Sequence, residues 1–167
     1  MAEQTAPQPE AKPMGMAEMK QMLHDYQVPM SEETLKGIAG EGAVEPAKAK
    51  AFEEYVKTAA QGLYPTFAPQ IKAGIPTAYL LDPYRQVGKQ VLGEEFEPDF
   101  MGNTIHAKAL NGNMDQATGR PAPMSLDQWK DHLKTEPSFG WSNTQDGIQS
   151  RQSVLQAIHQ SFSQGGQ

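Results

Sequence analysis

The sequence predicts a mostly α-helical protein: several short helices with Pro/Gly-rich connections and an extended N-terminal arm. Three observations predict it. Pro 13 and Gly 15 among 167 residues divide the chain into short stretches separated by turn-forming positions. Within those stretches apolar residues recur at helical spacing, most clearly Phe52, Val56, Ala59, Ala60 and Leu63. No segment alternates apolar and polar residues with period two, so no sheet is expected. The best specified helix start is at Ser125. Its hydroxyl can cap the helix while Gln128 reaches back to the cap N–H, a capping box, and Met124 faces Trp129 as a hydrophobic staple.

In chain order, residues 1–14 read as an extended or disordered arm. Pro7, Pro9 and Pro13 stand among Gln, Glu and Ala, a composition too poor in apolar area to order itself. Residues 15–45 read as short helices and linker. The helix over 15–26 carries Met16, Met19, Leu23 and Tyr26 on one stripe, with Met22 beside it. Methionine packs irregular cores and also suits adaptable contact surfaces, so this stripe fits either ordinary packing or a partner-binding helix. Pro29 breaks that helix. Ser31 caps the next, with Glu32 and Glu33 at its positive end. Leu35, Ile38 and Ala39 form its apolar face, and residues 40–45 are a linker.

Residues 46–163 read as a helical domain and 164–167 as a tail. Pro46 suits the first position of a helix running to about Gly62. Thr66 is expected to cap a two-turn helix with Phe67 and Ile71 inward and Gly74 as its stop. Asp82-Pro83 reads as cap and first residue of a helix striped by Tyr84, Val87, Val91 and Leu92. An acidic loop over 94–103, a small helix over 104–110 and a polar loop over 111–123 lead to the Ser125 helix. There Leu126, Trp129 and Leu133 form the stripe and Pro137 ends the helix, because the residue before proline avoids the α region. Phe139 and Trp141 follow in a loop. A last helix over about 143–163 sets Ile148, Leu155, Ile158 and Phe162 on a heptad-like seam.

Composition excludes several functions. The net charge is −6, and no run of Lys and Arg interrupts it, so specific nucleic-acid binding is not expected. No apolar stretch approaches the ~20 residues that cross a bilayer. Cysteine is absent, which removes disulfides, thiolate metal sites and a cysteine nucleophile. His24, His106, His132 and His159 do not pair at helical ligand spacing, and His132 beside Asp127 and Asp131 reads as a solvated face. Asn111, Asn113 and Asp115 imitate the start of a calcium loop, but Gln116 and Ala122 stand where Gly and Glu are required. A polar Ω-loop is the better reading. Glu94, Glu95, Glu97 and Asp99 read as repelling, solvated charge rather than a catalytic pair. No hydrolase elbow, phosphate loop or dinucleotide fingerprint occurs. No catalytic residue, cofactor or metal ion is therefore expected, and the chain reads as an interaction protein rather than an enzyme.

Two stretches carry a resemblance. LYPTFAPQIKAGIPTAYLLDPYRQVGKQVLG (63–93) and ALNGNMDQATGRPAPMSLDQWKDHLKTEPSFGWSNTQDG (109–147) together resemble a helical module of tailed-bacteriophage virion structural proteins, and 26–42 resembles helical units in the same group. That group includes internal or ejection, tape-measure-like and minor tail proteins. Even wholly helical, 167 residues reach only about 250 Å, too short to span a tail tube as a tape measure does. The resemblance implies a virion component, made in the host cytoplasm. It would make protein–protein contacts near the portal, tail or internal core, in a homo- or hetero-oligomeric assembly with other virion proteins. A scaffolding protein for head assembly and a small adaptor binding a host protein are the alternative roles. Met16, Met19, Trp129, Phe139 and Trp141 are the expected partner-binding anchors, because aromatic and Met side chains dominate interface cores.

Overall fold

The computed structural model describes residues 12–40, 42–139 and 144–164, with side chains described as far as residue 156. It is mostly helical, as the sequence predicts, with eight α-helices among the described residues. They divide between two compact units, Met1–Leu80 and Leu81–Gln167. Residues 1–11 of the expected arm, Trp141 and the last three residues lie outside the described residues.

The first unit holds α1 (Met16–Asp25), α2 (Glu32–Ala39), α3 (Pro46–Leu63) and α4 (Ala68–Lys72). In α1, Met19 and Leu23 are buried, and the chain leaves the helix through an αL turn before Pro29 acts. Gln27 sits at φ 55°. Its N–H donates to His24 O and the Val28 N–H to Leu23 O, the paired bonds of a Schellman ending. Ser31 caps α2, accepting the Thr34 N–H at 3.1 Å. Pro46 opens α3 as expected, and Phe52, Val56 and Ala60 are buried along it. Thr66 does not cap α4. It lies inside a 3₁₀ turn, Pro65–Phe67, that leads into the helix with no side-chain cap bond. The Tyr26 hydroxyl donates to Gly74 O at 3.4 Å.

The linker expected over 40–45 is tied down. Met14 and Val44 form an antiparallel bridge, with Met14 N–H to Val44 O at 3.1 Å and Val44 N–H to Met14 O at 2.8 Å. Val44 is 3% exposed, so this bridge belongs to the core of the unit.

Helix α5 (Thr77–Leu92) begins in the first unit and continues into the second. The expected start at Asp82-Pro83 is not there, and Pro83 lies inside the helix. Pro83 and Tyr79, the residue four before it, both face solvent. Water can therefore satisfy the carbonyl that the missing N–H leaves free, while buried Leu81 and Tyr84 hold the helix on its other face.

The second unit adds α6 (Thr104–Asn111), α7 (Leu126–Thr135) and α8 (Gln145–Gln164). It also contains a small sheet that the sequence did not predict. Strands β1 (Asn113–Met114) and β2 (Pro121–Ala122) pair antiparallel, Asn113 opposite Ala122 and Met114 opposite Pro121. Two residues per strand are too few to show alternation. Asp115 shapes the tip, its Oδ1 accepting the Ala117 and Thr118 N–H groups, and Gly119 takes φ 65°. The capping box of α7 is formed: Gln128 N–H donates to Ser125 Oγ at 3.2 Å, and Ser125 N–H to Gln128 Oε1 at 2.9 Å.

Candidate functional site

The structure divides the expected partner-binding anchors. Met19 and Trp129 are 0% exposed, so each belongs to the interior of its own unit and presents no surface in this conformation. Met16 and Phe139 are half-buried. Trp141 lies outside the described residues. Leu126, expected in the α7 stripe, is 41% exposed instead.

Trp129 is fixed by a bond no local pattern discloses. Its indole N–H donates to Tyr84 O at 3.0 Å, and the Tyr84 hydroxyl donates to Met124 O at 2.7 Å. Burial pushes the Tyr84 phenol pKa upward. Phe100 packs by its edge on Tyr84 and obliquely on Trp129. These groups tie α5, the 94–103 loop and α7 together, and they serve the fold.

Two histidines join this interior. His106 is 7% exposed, stacks on Phe139 and meets the edge of Phe96. Its Nδ1 accepts the Asp99 N–H at 2.9 Å, so that nitrogen carries no proton. Desolvation lowers the His106 pKa, opposed by the Asp99 charge. His132 was expected on a solvated face. It stacks on Trp129 instead, with Nε2 buried and 3.9 Å from Glu136 Oε2. The i, i+3 spacing from Trp129 to His132 is the sequence signal for that stacking.

The acidic loop is likewise structural. Asp99 Oδ1 accepts the Met101 and Gly102 N–H groups, which holds its carboxyl below the usual range, and Glu97 pairs with Lys89 at 2.6 Å. Among the described residues no group of three or more His, Cys, Asp or Glu side chains could hold a metal ion. No described helix is long and apolar enough to cross a membrane.

A surface groove suited to binding lies on the first unit. Thr34 and Ile38 of α2 face Lys48, Phe52 and Tyr55 of α3 across an apolar groove of about 440 Å³, with Met30 also lining it. The i, i+4 and i, i+3, i+4 positions of two helices make its walls continuous, and Met30, Ile38, Ala51, Phe52 and Tyr55 make them predominantly apolar. Ile38 is 40% and Tyr55 54% exposed, so apolar area stands open to solvent here. Lys48 is the charged residue of the lining and makes no ion pair with another described residue. Sequence reasoning missed this groove, because Ile38 and Tyr55 fall on different helices and nothing local pairs them.

No family model matches the chain, and neither the curated proteins nor the solved structures gave a match. The functional reading therefore stands on the groove and on the sequence resemblance.

Proposed function

We propose that this chain is a structural protein of a tailed-bacteriophage virion, making protein–protein contacts near the portal, tail or internal core. The observation that carries an interaction role is the α2–α3 groove, where Ile38 and Tyr55 hold apolar surface in water beside Lys48, which makes no ion pair with another described residue. Such a surface gains when an apolar segment covers it. The segment that fits is short and apolar and carries a carboxylate opposite Lys48. Among the described residues, the bonds of Trp129, Tyr84 and His106 support the same reading, since they close a loop and join helices. The virion setting is supported by the resemblance over 63–93 and 109–147.

Quantitative mass spectrometry of purified source particles tests this, comparing precursor shells, mature virions and DNA-ejected ghosts. The proposal expects the chain in mature virions at a fixed copy number. Retention in ghosts places it in the portal, tail or shell, and loss from ghosts makes it an ejected protein. Presence in precursors alone replaces the proposal with a scaffolding role. Absence from all three overturns the virion reading.

A further inference from the structure

We propose that the α2–α3 groove receives an amphipathic helix of a partner protein, one that carries a carboxylate about seven residues from an apolar anchor on the same face. This rests on the reading of the groove as a docking surface and names the class of partner it takes.

The walls favour a helix over an extended chain. Thr34, Ile38, Ala51, Phe52 and Tyr55 lie within α2 and α3, where backbone groups bond along the helix. The groove therefore offers side chains, and no strand edge for an extended segment to pair with. An extended segment would press its own N–H and C=O groups against Ile38, Ala51 and Tyr55, and each one left unpaired opposes binding. A helix arrives with its backbone bonds already made and presents side chains alone.

Charge sets the polar position. The Thr34 hydroxyl already shares a hydrogen bond with Ser31 Oγ at 2.7 Å. The Lys48 ammonium makes no ion pair with another described residue. It stands in the first turn of α3, which contains no acidic side chain, and Glu45, three residues before it, does not pair with it. A partner that covers the groove also covers Lys48, and a carboxylate at that point keeps the charge matched.

Helical spacing sets the rest. Lys48, Phe52 and Tyr55 fall at i, i+4 and i+7 of α3, so Tyr55 lies about 10 Å along the axis from Lys48. A helix laid along α3 rises at the same rate, and its residues seven apart return to one face within about 20°. A carboxylate opposite Lys48 then places an apolar side chain seven residues away against Tyr55. A second apolar side chain, between the two, lies over Phe52.

Random peptides of about sixteen residues, enough for four helical turns, displayed on yeast and sorted against the full chain, test this. Peptides that also bind Ile38→Ser/Tyr55→Ser are discarded, which leaves those that use the groove. The expected binders carry apolar residues at helical spacing, with Asp or Glu seven residues from one of them. Sorting against Lys48→Glu should exchange that acid for Lys or Arg. In a synthesised binder, replacing the acid by Lys should weaken affinity for the parent chain at least fivefold and strengthen it for Lys48→Glu, and circular dichroism should show its helicity rising on binding. Ile38, Lys48 and Tyr55 are exposed, so these variants keep the fold. Four results each overturn the proposal: proline-rich or alternating binders, binders with no acid preference, a preference unchanged by Lys48→Glu, or no binder that separates the parent from the serine variant. None of them alters the copy number measured in particles, so the two readings fail separately.

Discussion

The two units of this protein are held together in different ways. In the first, helices meet through apolar stripes, and several polar bonds are local, at Ser31–Thr34, Gly15–Glu18 and the Schellman turn at Gln27, with the Tyr26–Gly74 bond and the Met14–Val44 bridge as longer ties. In the second, side chains reach across long stretches of chain. Tyr84 bonds Met124, Trp129 bonds Tyr84, and Asn113 bonds Gln128 at 2.7 Å. The first unit leaves aromatic and aliphatic area in water along its groove, whereas the second buries Tyr84 and Phe100 beside Trp129. The difference separates a surface available for binding from an interior that fixes three elements in place.

The largest effect should come from Trp129→Ala. It opens a cavity at a fully buried site and removes the indole N–H donated to Tyr84 O, so urea denaturation should show a loss of about 3–5 kcal/mol. Retention of parental stability would mean that Trp129 does not hold the second unit together.

Tyr84→Phe comes next. The ring stays, but Met124 O loses its donor at a partly buried site, at a cost of about 1–3 kcal/mol in the same assay. Tyr55→Ser on the first unit, by contrast, should stay within about 0.5 kcal/mol of the parent, as exposed positions usually do. If the two variants rank the other way, the contrast between the units is broken.

Ser125→Ala should lower stability by about 1 kcal/mol through loss of the cap, read as a lower thermal midpoint. This capping box was fully legible in the sequence because both partners lie within four residues. Legibility fell as the controlling contact became more distant or the element shorter. The Tyr84–Met124 bond spans 40 residues, and no local pattern announces it. The β1–β2 ladder has two residues per strand, below any periodicity. Pro83 misled for a different reason: proline punctuates helices by local sterics, yet here the free carbonyl lies on a solvent-exposed face that water can reach, and flanking burial carries the helix through. The groove escaped notice because its two walls come from separate helices.

The smallest effect should be a pH dependence at His106. Burial holds its pKa below the ordinary value of 6.5, so the unfolded chain binds the proton more readily than the folded one. The associated stability is fully present above pH 6.5 and is lost as pH falls through the lower folded value. Protonation of Nδ1 also removes the acceptor of the Asp99 N–H. Thermal midpoints measured between pH 7.5 and 5 should decline, and His106→Gln should flatten that decline. An identical slope in the variant would assign the dependence to other groups.

The most direct test of the central claim is the incorporation of a groove variant into particles. In Ile38→Ser/Tyr55→Ser both altered side chains are exposed, so the thermal midpoint should match the parent. If the groove makes the virion contact, quantitative mass spectrometry of mature particles should find the variant depleted at least tenfold. Incorporation at the parental copy number, with the fold intact, would contradict the account.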